Sequence, residues 1–168
     1  MPAAAQSFLD VVEKVRNREL LLSSPVMVEV AQATQSHGNL QPPSLRTQTT
    51  SERDIWFLNY ASEYGHNVCY VLDAGRSLTI GRSRACDLRV RDRSVSSVHA
   101  RMRFDRSLMG YFLTDEGSRN GTFLSGERVE PKVETAIWSG ALLSFGQAAF
   151  IFLLSSTIRK LARLATSD

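Results

Sequence analysis

The sequence predicts an all-β fold: an antiparallel β-sandwich, preceded by a helical segment and followed by a short helix. Three observations predict it. From Ile55 to Leu154 the apolar residues come in short runs, several with a period of two. Turn-forming clusters punctuate those runs: Asp73-Ala74-Gly75, Asn120-Gly121, Ser125-Gly126 and Gly146-Gln147. Helical periodicity is confined to the two ends. Many short strands at this spacing fold as two packed sheets.

The elements follow in order. Residues 7–22 read as a helix, with Phe8, Val11, Val12, Val15 and Leu22 on one face and Glu13, Lys14 and Arg16 turned away. Ser7 caps it, Asp10 follows three residues on, and Pro25 ends it. Residues 26–30 fit either a strand or a second helix. From Gln32 to Arg53 the chain is rich in Gln, Ser, Thr and Pro and loses apolar periodicity, as a linker does. The expected division is therefore 1–31 helical extension, 32–53 linker, 54–155 sandwich and 156–168 amphipathic C-terminal helix or tail.

Strands are expected at 68–72, 78–80, around Leu88 and Val90, at 98–105, 111–114, 122–124, 141–145 and 148–153. In the clearest, Val98, Ala100, Met102 and Phe104 alternate with His99, Arg101, Arg103 and Asp105. The apolar stretch 136–154 could imitate a membrane span, but Ser139-Gly140, Ser144 and Gly146-Gln147 break it into a hairpin. At the C-terminus, Ile158, Leu161, Ala162 and Ala165 share a face.

Composition narrows the classes. With 168 residues, 43% hydrophobic and 22% charged, the chain is globular in type. Two cysteines, Cys69 and Cys86, make neither a disulfide framework nor a zinc site, and no metal or cofactor is expected. The first residues lack the layout of a signal peptide, so a cytoplasmic location is expected. The net charge is +3, with 17 of the 20 basic residues arginine. Nine arginines and three aspartates lie between Arg76 and Arg106, a local +6 that suggests an anionic partner. Nucleic acid is not favoured, because neither a recognition helix nor stacking aromatics accompany those arginines.

Three short motifs fall in turns. Gly81-Arg82 ends a strand. Ser96-Ser97-Val98-His99 opens the next clear strand. Asp115-Glu116-Gly117-Ser118-Arg119-Asn120-Gly121-Thr122 joins two more. Their chemistry suits a phosphorylated side chain, which carries about −1.5 to −2 charges and three acceptor oxygens. Arg82 offers a planar fork of charge-assisted donors. Ser96 offers a hydroxyl and, in a tight turn, a backbone N–H. Asn120 has a donor and an acceptor with which to clamp a peptide backbone. Loops at one end of a rigid sandwich bring such groups together.

In order and spacing the three motifs resemble the forkhead-associated (FHA) domain, a phosphothreonine-binding β-sandwich, over roughly residues 55–154. The resemblance implies about ten to eleven strands. It implies that Arg82 and Ser96 bind phosphate, that Asn120 holds the ligand main chain, that Ser97 assists and that Arg119 lines the pocket. Gly81, His99 and Gly121 would support the site, His99 by bracing the loops. Ser97 stands where the family often has Arg, Lys or Asn, and Arg119 would supply the missing charge. Gly140-Ala141 stands where the closing hairpin usually has Gly-Asp.

The bland readings remain beside these. Asn120-Gly121 is a hairpin signal in its own right. Arg89, Arg91, Arg101 and Arg103 read as solvated strand faces. Ser96 and His99 carry no nucleophile elbow or triad context, so an enzyme is not expected. The expected function is a non-catalytic adaptor that reads a Ser/Thr kinase's phosphothreonine-containing targets. The alternative is a phosphate-independent structural subunit of a larger complex. The linker reads first as an ordinary polar spacer; the other reading makes Thr47, Thr49 and Thr50 candidate phosphorylation sites that, once phosphorylated, would fold back into the chain's own pocket.

Overall fold

The structure is a computed structural model that describes residues 3–20, 23–30, 67–73 and 75–164. Two sheets face each other, as expected. In chain order the elements are β1 (Ala5–Ser7), α1 (Phe8–Arg16), β2 (Val26–Val30), β3 (Val68–Val71), β4 (Leu78–Gly81), β5 (Leu88–Arg89), β6 (Ala100–Asp105), β7 (Gly110–Asp115), β8 (Thr122–Leu124), β9 (Glu127–Arg128), β10 (Thr135–Ile137), β11 (Leu142–Phe145), β12 (Ala148–Leu153) and α2 (Ser155–Leu164). One sheet runs β1-β3-β2-β12-β11-β8-β9 and the other β10-β7-β6-β4-β5. Every named pairing is antiparallel except β4–β5.

Residues 26–30, which the sequence left open, are a strand. β2 pairs with β12 from Val26↔Leu153 to Ala149↔Val30, and on its other side with β3. The segment before residue 32 is thus not purely helical. It interleaves one helix with two strands of the larger sheet. The helix is also shorter than the expected 7–22. Asn17 closes it, and Arg18 takes a left-handed φ of 61°. Backbone N–H groups of residues 17–20 bond back to the carbonyls of Glu13, Lys14 and Val15, so the chain reverses well before Pro25. Ser7 makes no side-chain cap bond; it ends β1 opposite Val68.

β12 explains why its sequence is unbroken apolar. Phe150 and Phe152 face the core between the sheets, with Met27, Ile80, Met102 and Leu143. Ala149, Ile151 and Leu153 face a second core with Phe8, Val11, Val12, Ile158 and Leu161. A strand covered on both faces has no polar side to alternate with. β2 does the same, with Met27 inward and Val26, Val28 and Val30 toward the helices. The helices therefore form a third layer, and α1 packs against α2.

The stretch 136–154 is a hairpin, β11–β12, turning at Gly146-Gln147. No helix of the described residues is long and apolar enough to cross a membrane. One phase differs from expectation: Val98 is exposed and His99 is buried. Regular pairing of β6 starts only at Ala100, and the two residues before it belong to the loop. Both cysteines are free and buried, and burial pushes the Cys69 thiol up to about 12. Thr47, Thr49 and Thr50 lie outside the described residues.

Candidate functional site

Three loops and one hairpin turn meet at one end of the sandwich: 82–87, 90–99, 116–121 and 146–147. The first two are zipped together. Arg82 N–H donates to Ser96 O at 2.9 Å, Ser83 N–H to Ser97 O at 3.0 Å and His99 N–H to Ile80 O at 2.8 Å. This approach needs Gly81. A Cβ there would lie 2.3 Å from the Ser97 carbonyl oxygen.

His99 ties the second loop to the third. Ser96 N–H donates to His99 Nδ1 at 3.1 Å, which leaves the ring proton on Nε2, 3.0 Å from Gly121 O. Burial holds the imidazole below its ordinary value, against the Gly121 bond and the nearby Asp115 charge. His99 is thus a neutral strut between the two loops. The same bond corrects one expectation. The Ser96 backbone N–H is spent on His99, so only the hydroxyl of Ser96 faces a ligand. That hydroxyl accepts the Arg119 N–H at 3.1 Å and keeps its own proton to donate. It does not bond to His99, so the geometry lacks a nucleophile–base contact.

The third loop is built on Asp115, which the sequence reading did not single out. Its Oδ1 accepts Gly117 N–H and Ser118 N–H, and its Oδ2 accepts the Ser118 and Thr122 hydroxyls at 2.6 Å each. Burial alone would raise its pKa. The hydroxyl and backbone donors outweigh burial and hold the carboxyl below the usual range. An Asp followed by Gly two residues on was the available signal, an Asx turn. Ser118 Oγ in turn accepts Gly121 N–H, and Gly121 takes a φ of +86°. Asn120 Nδ2 donates to Ser94 O at 2.7 Å, a main-chain carbonyl of the neighbouring loop.

Ser94 is a second support. Its hydroxyl donates to Asp92 Oδ1 and accepts Gln147 N–H, pressing its loop onto the β11–β12 turn. A Cβ on Gly146 would lie 2.5 Å from that hydroxyl oxygen.

The result is an open pocket of about 250 Å³. Arg82, Ser96, Ser97, Arg119 and Asn120 all line it, and Arg93, Ser94 and Val95 complete it. Gly81, His99 and Gly121 stand behind it. Arg82 Nε is anchored on Val95 O at 3.1 Å, leaving its two terminal nitrogens for a ligand. Among the described residues, no carboxylate is within ion-pair distance of Arg82, Arg93 or Arg119. The arginines on the strand faces differ. Arg101 pairs with Glu116 at 3.3 Å, and Arg103 bonds to Glu134 and to Asp105 at 2.8 Å while stacking over Phe112. The pocket joins three uncompensated guanidiniums with hydroxyl and amide donors and presents no carboxylate. It is built for an anion.

Residues 78–146 match the family model of the FHA domain. Over this stretch the chain is similar to forkhead-associated domains. The human angiogenic factor with G patch and FHA domains 1 is 37% identical over 68 residues, covering 39% of this chain and 10% of that protein. The human nuclear inhibitor of protein phosphatase 1 is 29% identical over 99 residues, covering 58% of this chain and 28% of that protein. The chain thus spans only a minor part of these relatives' length. The solution structure of the FHA domain of an Arabidopsis thaliana hypothetical protein superposes with a TM-score of 0.51 at 18% identity, over 80% of this chain and 88% of that one. That likeness concerns the fold. The FHA match runs from β4 to the β11–β12 turn, within a sandwich that β1, β2, β3 and β12 complete.

Proposed function

We propose that this protein is a non-catalytic adaptor whose FHA domain binds phosphothreonine peptides made by a Ser/Thr kinase, acting in the cytoplasm. The observation that carries this reading is the pocket itself. Arg82, Ser96 and Asn120, from three separate loops, converge on one cavity with unpaired cationic and hydroxyl donors. In this reading Arg82 and the Ser96 hydroxyl take the phosphate oxygens. Asn120 uses its free carbonyl oxygen and remaining N–H on the ligand main chain. Ser97, exposed beside Ser96, adds a second hydroxyl, and Arg119 adds charge.

The test is direct. A phosphothreonine peptide should bind, and the same peptide unphosphorylated should not. Arg82→Ala should weaken binding by about 1.5–3 kcal/mol, on the order of ten- to a hundredfold in Kd. Equal affinity for both peptides would overturn the reading in favour of a phosphate-independent scaffold. The buried apolar faces of the helices now speak less for that scaffold, because they are spent within the chain.

A further inference from the structure

A second cavity, of about 340 Å³, lies on the far side of the 92–94 turn from the phosphate pocket. Arg89, Arg91, Tyr70 and Glu29 line it, and its Asp92 and Gln147 are bonded to Ser94 of the first pocket, so the 92–94 turn lies between the two. That turn is rigid. Asp92 accepts the Ser94 N–H and hydroxyl, and Gln147 N–H donates to Ser94 Oγ. Ser94 itself lines the phosphate pocket. The two cavities are also linked by a bond between their linings, Arg89 Nε donating to Arg82 O at 3.3 Å.

The second cavity is charged in an uneven way. Arg89 ends β5, Arg91 follows two residues on, and both line the cavity. Neither has a carboxylate within ion-pair distance among the described residues, although two acids line the same cavity. Asp92 is occupied by Ser94. Burial raises the Tyr70 hydroxyl's pKa, the Glu29 charge raises it further and the Arg91 charge lowers it, so both charges lie near the phenol. Arginine forks beside a phenol hydroxyl can hold a carboxylate or a phosphate.

We propose that Arg89, Arg91 and Tyr70 form a second anion subsite, which takes an acidic or phosphorylated side chain of the same polypeptide whose phosphothreonine fills the first pocket. This rests on the phosphothreonine reading and extends it to a two-point grip. An extended peptide advances about 3.3 Å per residue. Crossing the 92–94 turn therefore sets the second anion on the order of three to five residues from the phosphothreonine. The subsite exists only because β2 and β3 lie beside β12, which brings Glu29 and Tyr70 opposite β5.

Synthetic peptides test this. One carries phosphothreonine with neutral flanks. Others add one Glu, or one phosphoserine, at two to six residues on either side. With the full chain at physiological salt, at least one spacing should bind about three- to tenfold tighter than the neutral peptide. Arg91→Gln should abolish that gain and leave the neutral peptide's affinity within about twofold, because Arg91 does not line the first pocket. Glu29→Gln should enlarge the gain by removing a repulsion. The Glu and phosphoserine series tell which anion is preferred. A gain that survives Arg91→Gln would be diffuse attraction and would overturn the subsite, as would no gain at any spacing. If the neutral phosphothreonine peptide itself failed to bind, the phosphothreonine reading would fall and the subsite with it.

Discussion

Gly81 shows how one absent atom lets the site close. Its neighbours Arg82 and Ser83 can reach the 96–97 backbone only because nothing occupies the space beside the Ser97 carbonyl. Gly81→Ala puts a Cβ against backbone, which cannot swing away as a side chain can. The expected cost is about 1–3 kcal/mol of stability, read from the urea midpoint, together with weaker phosphopeptide binding. His99 gives a pH signature at the same scale. Its folded-state pKa is depressed, so protons bind the unfolded chain first. Stability is fully present above the unfolded value of about 6.5 and falls as pH drops below it. Protonation would also expel the Ser96 N–H from Nδ1. In a chain with His37 and His66 replaced by Gln, urea unfolding should show a plateau above about pH 7 and a decline between about pH 6.5 and 5. A flat profile there would contradict a neutral buried His99. The depressed carboxylates, Asp115 among them, lose their contribution only at lower pH.

At the scale of elements, the two helices and β2 are structural partners of the sandwich. Removing residues 1–53 would strip β2 from between β3 and β12 and expose Ala149, Ile151 and Leu153. A chain starting at residue 54 should therefore lose cooperative unfolding and dispersed amide resonances. It would not serve as a clean test of the N-terminal segment's partners. Ile158→Ala, a point change in the buried face of α2, should cost about 2–5 kcal/mol. Phosphopeptide affinity of the folded fraction should stay within about twofold, because α2 lies on the outer layer. Much of this architecture was legible where the signal is local. The turns, the hairpin at Gly146-Gln147 and the apolar face of α2 all stand in the sequence. β9 and β10 were not, since Glu127–Arg128 is exposed and polar and Thr135–Ile137 is three residues long. Val26–Val30 was ambiguous because burial on both faces erases the period that separates strand from helix. The pocket-lining residues were legible through short motifs. Their supports were less so, because Ser94 earns its place through contacts with Asn120 and Gln147, far along the chain.

For the whole molecule, the useful quantity is the pairing of its positive charge. The +6 between Arg76 and Arg106 suggested an anionic partner but not where it binds. The fold divides those arginines. Arg76, Arg101 and Arg103 meet acids from other loops, including Asp87, Glu116 and Glu134. Arg82 and Arg93, joined by Arg119, meet none among the described residues and share one cavity. Sequence distance hid this, since Arg103 and Glu134 are 31 residues apart. Two double variants separate local from global electrostatics, because each removes two positive charges. Arg93→Gln with Arg119→Gln should weaken phosphothreonine-peptide binding about tenfold and flatten its salt dependence. Arg101→Gln with Arg103→Gln should change affinity less than about twofold, since surface pairs contribute little. Measured side by side at low and physiological ionic strength, equal losses would mean that net charge alone attracts the ligand. A strong preference for duplex DNA, falling steeply with salt, would move the partner from a phosphopeptide to nucleic acid. The uneven pairing of the arginines argues for the first outcome, with affinity concentrated where the guanidiniums have no acid of their own.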